Sequence, residues 1–274
     1  FIYQDEPLGI AHAIMLAEKY INNSPFVVYL GDNILKGGIK KHLEEFMGNN
    51  YEASVLLAEV KNPQEFGIAE LNERGEIVKF VEKPKQPPSN LAVIGIYFFR
   101  QAIFKAVKEI KLSWRNQYEI TDALQWVMDH GYKIKAGMVE GWWKDTGRPE
   151  DILHANRLVL DEIKGNISSE RIIGRVEIGK GTEIDESSII KGPVVIGRDC
   201  KIKNSYIGPY TSIGNNCEIE GSEIEDCVIM DDCKLINAGK ISDSLIGKGV
   251  KIGKKNSLPS GFKFVIGDNS EVWI

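Results

Sequence analysis

From Ile178 onward the aliphatic residues of this 274-residue chain recur on a period of six, and no other feature limits the fold so tightly. Ile178, Ile184, Ile190, Ile196 and Ile202 are spaced by six, and Ile207, Ile213, Ile219, Ile224, Ile229, Leu235, Ile241, Ile246, Ile252 and Leu258 follow at fives and sixes. Glycine comes next in the chain at 179, 197, 208, 214, 247 and 253. This is the hexapeptide pattern of a β-helix, in which three hexads make one triangular coil and the aliphatic residue points inward. Cys200, Cys217, Cys227 and Cys233 sit near those inward positions and read as small core residues. They lack C-x-x-C spacing and all four histidines precede them, which argues for reduced cytosolic thiols and against a zinc site.

The first half has a different grammar. Phe26-Val27-Val28-Tyr29-Leu30 is a short apolar run, expected as a strand buried on both faces of a parallel sheet. Gly31 is expected to let the backbone leave that strand in a conformation a larger residue would resist. Asp32 then falls at the strand's carboxyl end, where it can hold a divalent cation against a phosphate or simply cap the next turn. Ile10, Ile14, Ala17 and Ile21 predict a helix before it, and further helices are expected near 39–46, 101–110, 119–129 and from Pro149 to about 163. Apolar runs at 53–60, 92–99 and 133–139 predict strands, 66–71 and 76–81 a hairpin, and 141–147 a loop. The alternation predicts a doubly wound α/β domain over 1–165, followed by the β-helix over 170–274. Phe1-Ile2-Tyr3 reads as the middle of a strand, as though the chain continued a longer protein.

A net charge of −5 argues against nucleic acid as the main partner, and no apolar run approaches the ~20 residues of a membrane span.

Seven short motifs occur in order: Gln4-x-x-Pro7-x-Gly9-x-Ala11, Leu30-Gly31-Asp32-Asn33, Phe66-Gly67, Val81-Glu82-Lys83-Pro84, Gly95-x-Tyr97, Glu119-Ile120-Thr121-Asp122 and Trp143-x-Asp145-Thr146-Gly147. Together they resemble the sugar-1-phosphate nucleotidyltransferase family, and within it the long-form thymidylyltransferase branch. The resemblance covers residues 1 to about 160. It implies a Rossmann-like, GT-A-like domain that joins a nucleoside triphosphate, dTTP in this branch, to a sugar 1-phosphate.

On that resemblance Asp32 and Asp145 would hold Mg²⁺, whose preference is for carboxylate oxygen. Lys83 would contact the sugar phosphate, with Arg115 a candidate second cation. Glu82 would accept hydrogen bonds from sugar hydroxyls, Gly67 would allow close backbone approach, and Tyr97 and Glu119 would line the sugar side. Gln4 and Gly9 would read a pyrimidine base, because an amide offers both donor and acceptor. Trp142 and Trp143 are expected to pack rather than stack on a base. The family's glycine-rich triphosphate loop is expected about 80 residues upstream of Asp32, so the chain as it stands is expected to carry half of the nucleotide site.

Resemblance to hexapeptide-repeat proteins implies a left-handed β-helix. Many such helices are acyltransferases that need a histidine base, and no histidine follows His154, so an assembly role in a cytoplasmic homo-oligomer is expected. UTP- or GTP-dependent transfer and a non-catalytic regulatory subunit are the rival readings.

Overall fold

The computed structural model describes residues 1–254 and 271–272, so the last expected hexad position, Leu258, lies outside the described residues. The chain divides into two compact units, Phe1–Asp145 and the chain from Thr146.

The first unit runs α1 (Ile10–Ile21), β1 (Phe26–Tyr29), β2 (Asn33–Leu35), α2 (Lys40–Met47), β3 (Ala53–Glu59), β4 (Gly67–Leu71), β5 (Ile77–Glu82), β6 (Leu91–Phe99), α3 (Ala102–Glu109), α4 (Ile120–Asp129), β7 (Ile134–Met138) and β8 (Trp143–Asp145). Six of these strands form one sheet in the order β5-β4-β6-β3-β7, with β1 also paired to β6. Strand β6 is its axis, and eight of its nine residues are buried. Its side chains alternate between two cores, as a pleated strand requires. Val93, Tyr97 and Phe99 join Ala11, Ile14, Phe104, Val107 and Leu124 from α1, α3 and α4. Ile94, Ile96 and Phe98 join Phe46 of α2 on the opposite face. Burial of a side chain such as Phe98 contributes about 1.5–3 kcal/mol.

Four expectations need correction. The sheet is mixed: β3 and β7 pair in parallel, whereas β1, β3 and β4 all run antiparallel to β6. Strand β1 is only half-buried and Tyr29 faces solvent, because no helix covers that part of its outer side completely. Gly31 has no left-handed φ and a Cβ there would meet nothing within 4 Å, so its backbone does not demand glycine. Residues 1–3 form no strand, and the expected loop at 141–147 contains β8, antiparallel to β2.

The second unit opens with α5 (Pro149–Leu160), which the sequence placed with the first domain and which packs on the strands that follow. Those strands form a parallel β-solenoid with three inward ladders. One is Ile178, Ile196, Ile213, Ile229 and Ile246. The second is Ile184, Ile202, Ile219, Leu235 and Ile252. The third is Ile172, Ile190, Ile207, Ile224 and Ile241. Successive rungs lie 16 to 18 residues apart, so three hexads make one coil.

The corners explain how the chain turns so sharply. Asp199, Asn216 and Asp232 stack at one corner, Asn204 and Asn237 at another, and Asp226 and Asp243 at the third, all with left-handed φ of 44–63°. Short polar side chains that bond locally tolerate that region better than other residues. Beside the corners, Ser188, Ser205 and Ser222 are buried in a column, each hydroxyl accepting from the backbone N–H of the coil above: Ser205, Ser222 and Ala238.

The four cysteines are buried free thiols, as the sequence indicated. Cys200, Cys217 and Cys233 each donate to a carbonyl one coil on, those of Gly214, Met230 and Gly247, at 3.1–3.2 Å. Burial pushes the Cys227 thiol up to about 11, which keeps it protonated at neutral pH.

Candidate active site

The cleft of the first unit is built around Asn33, a residue that sequence reading passed over. Asn33 opens β2 and is 8% exposed. Its Nδ2 donates to Asp32 Oδ1 at 2.8 Å, and its Oδ1 accepts from Trp143 Nε1 at 2.7 Å and from the Gly95 N–H at 3.2 Å. One amide therefore ties β2 to β6 and β8 while orienting a carboxylate. In the short β2·β8 ladder Asn33 lies directly opposite Asp145. That pairing carries Asp145 across the sequence to the mouth of the cleft that Asp32 also lines. The Trp143 ring meets Phe66 edge-on with centroids 5.9 Å apart, so it packs and hydrogen-bonds together.

The opposite wall is a charge cluster. Glu82 ends β5, and its Oε1 accepts from Arg115 at 3.0 Å while Oε2 accepts from the Thr121 hydroxyl at 2.9 Å. Arg115 also reaches Glu119 at 3.5 Å, and Glu119 is 5% exposed with the Ser113 hydroxyl donating to it at 2.7 Å. Burial raises the Glu82 pKa above the usual carboxylate value; the Thr121 hydrogen bond opposes the shift, Glu119 adds to it, and Arg115 and Lys83 oppose it. Asp122, next along α4, is raised by burial and then by Glu119.

A side chain at Gly67 would place its Cβ 2.6 Å from Thr121 Cγ2 and 3.0 Å from Glu82 Oε2, so glycine is what lets β4 pass this cluster. Lys83 follows with φ 38°, a conformation that costs a non-glycine residue of order 1 kcal/mol or more and is held here just before Pro84. Tyr97 lines the cleft floor but is 3% exposed and stacks on Phe99. Burial, then the nearby Glu82 and Asp32 charges, push its phenol pKa up.

The structure thus brings nine of the ten expected site residues into one cleft: Gly9, Asp32, Gly67, Glu82, Lys83, Tyr97, Arg115, Glu119 and Asp145. Gln4 is not among the lining residues; its amide donates to the carbonyl of Gly9, which is. Asn33, Thr121 and Gln117 also line it or bind its walls. The signal for Asn33 and Thr121 was present, since both are polar residues inside quoted motifs flanked by apolar positions.

Among the described residues no group of three or more His, Cys, Asp or Glu side chains is arranged to hold a metal ion. Two carboxylates on one cleft do fit Mg²⁺, which is commonly bound by one or two carboxylates with phosphates and water completing its shell. Among the described residues no helix is long and apolar enough to cross a membrane.

Comparison with known proteins points the same way. Residues 1–162 match the family model described as nucleotidyl transferase, and residues 203–273 match one described as the GMPPB C-terminal domain. The low-salt glycan biosynthesis nucleotidyltransferase Agl11 of Haloferax volcanii is 44% identical over 99% of this chain and 78% of its own. A glucose-1-phosphate thymidylyltransferase of Streptomyces antibioticus is 42% identical over 100% of this chain and 78% of its own. Among solved structures, a Bacillus anthracis protein named as a glucose-1-phosphate thymidylyltransferase, crystallised with a sucrose, is similar with a TM-score of 0.53. It is 39% identical, and the match covers 60% of this chain and 65% of that one, a little under two thirds of its length. The chain belongs to the nucleotidyl transferase family.

Proposed function

We propose that the protein transfers a thymidylyl group from dTTP to glucose 1-phosphate, giving dTDP-glucose and pyrophosphate, with Mg²⁺ held by Asp32 and Asp145. The observation that carries this reading is the β2·β8 ladder, which sets Asp145 opposite Asn33 and beside Asp32 in the cleft that also holds Lys83. The reaction needs little acid–base chemistry. An oxygen of the sugar phosphate attacks the α-phosphorus, the bond to the β-phosphate oxygen breaks, and pyrophosphate leaves with the electron pair. That nucleophile is already an anion, which accords with a set of lining residues that includes no histidine.

The protein's work is then positioning and charge neutralisation. Lys83 and Arg115 supply positive charge for the sugar phosphate. Glu82 and Glu119 offer acceptors to sugar hydroxyls, Glu82 being oriented by Thr121. A bound divalent ion would draw negative charge off the phosphates. Thymidylyltransferase names among relatives at 42% and 37% identity favour the thymine base and the glucosyl substrate. Homo-oligomer formation through the solenoid belongs to the same proposal.

The test is pyrophosphate release by the full-length protein with dTTP and glucose 1-phosphate, with and without a chelator. Magnesium-dependent turnover supports the reading. A clear preference for another nucleotide or another sugar phosphate would replace it, as would turnover indifferent to chelation.

A further inference from the structure

The amide of Gln4 is held from two sides. Its Nε2 lies 3.2 Å from the Gly9 carbonyl oxygen and 2.9 Å from His12 Nδ1. A carbonyl oxygen can only accept, so the amide atom facing it is the NH₂ group. The same NH₂ faces the imidazole. Nδ1 must therefore be the acceptor, with the ring proton on Nε2. Both donors of the amide are turned inward, and Oε1 is the group left to offer a ligand.

His12 is itself fixed. It is the third residue of α1, and its ring stacks on Tyr118 with centroids 6.2 Å apart and planes 29° apart. The Tyr118 N–H donates to the Leu8 carbonyl at 2.8 Å, which closes the segment carrying Gly9 against the same tyrosine. Gly9 has φ 97°, and a Cβ there would stand 2.7 Å from the Tyr118 carbonyl oxygen, so this backbone has one position.

We infer that His12 is a positioning residue for base selection: by accepting from the Gln4 amide it holds Oε1 outward as an acceptor. The site then takes a pyrimidine that carries an N–H on its pairing edge, thymine or uracil. Cytosine, whose ring nitrogen at that place is an acceptor, sets acceptor against acceptor. With His12 removed, the amide is free to turn over and show its NH₂ instead, which suits cytosine. The inference rests on the reading of Gln4 as the base-contacting residue.

The experiment compares kcat and KM for pyrophosphate release with dTTP and with dCTP in the full-length wild type, His12→Ala, His12→Asn and Gln4→Ala. One net hydrogen bond is worth about tenfold, so His12→Ala raises KM for dTTP roughly tenfold while kcat keeps its order of magnitude. The preference for dTTP over dCTP falls by a similar factor. His12→Asn, whose Oδ1 can stand where Nδ1 stood, restores most of that preference and guards against a folding artefact. Equal losses on both nucleotides in His12→Ala, or no change in the ratio while Gln4→Ala abolishes it, would overturn the role of His12 alone. An undiminished ratio in Gln4→Ala would overturn the reading of Gln4 and this inference with it.

Discussion

In the α/β unit Asn33 meets Gly95 across 62 residues and Trp143 across 110, and neither contact recurs anywhere else in the unit. In the solenoid Ile202 pairs with Ile219 and Ile219 with Leu235, and the same kind of contact is made on every coil. A contact that repeats can be lost once and still be supplied by its neighbours. A contact made once can place two carboxylates beside each other, but nothing stands in for it. Chemistry gathers in the unit whose contacts are used once, and the repeated unit supplies length and surface.

The sharpest way to break this contrast is Asp145→Asn. The charge that the ladder delivers would be gone while the ladder's backbone pairing stays. Turnover should fall about 10³-fold with the thermal midpoint nearly unchanged. Full turnover in that variant would place the chemistry elsewhere in the unit.

The solenoid gives the next largest effect, and it should be graded along the stack. Ile219 is fully buried mid-stack, so Ile219→Ala should cost about 2–5 kcal/mol in denaturant unfolding. Ile178 begins its ladder and is 37% exposed, so Ile178→Ala should cost about 1 kcal/mol or less. Equal costs would show that the coils do not share load as nearest neighbours.

Smaller again is the effect of Arg157, which lies on α5 and binds both Asp226 and Asp243, the stacked corner aspartates. Its side chain is 40% exposed, so screening limits Arg157→Ala to about 1 kcal/mol or less. High salt should shrink the difference further. A larger, salt-independent loss would mean that α5 is held by packing at this point rather than by charge.

The smallest expected effect is a slope. Burial raises the Glu82 pKa, so folding favours its protonated form. That contribution is fully present below the ordinary carboxyl value and is lost as pH rises through the raised one. Glu82→Gln cannot titrate, so the wild type should lose stability relative to it between mildly acidic and neutral pH. The opposite slope in paired thermal melts would show that the Arg115 ion pair outweighs burial.

How much of this was legible in the chain differs between the same two regions. The solenoid's three ladders could be written down from Ile178 to Ile252, because a period of six reports the coil directly. The recurrent Asp and Asn at its corners carried a second signal that went unused, the left-handed turn. In the α/β unit the helices and the hairpin were readable from local periodicity. The antiparallel partner of β1 was not, since a run such as Phe26–Tyr29 says nothing about which strand lies beside it. Strand β8 was hidden for the same reason: three residues with two aromatic neighbours have no period, and only the pairing with β2 makes them a strand. The cleft was legible as a set of motifs but not as a geometry, and the residue that joins its parts, Asn33, looked like a companion to Asp32.

The even rungs of the solenoid also bear on how such a chain can change over generations. Each coil of 16 to 18 residues presents to its neighbour the same inward aliphatics that its neighbour presents to it. A tandem duplication of one coil's worth of sequence would therefore find its seat already built, lengthening the stack by about 4.8 Å and disturbing no existing rung. Deletion of a whole coil would heal in the same way, whereas gain or loss of a few residues would rotate every later side chain off its ladder. Length in this region is free to drift, but in steps of a coil.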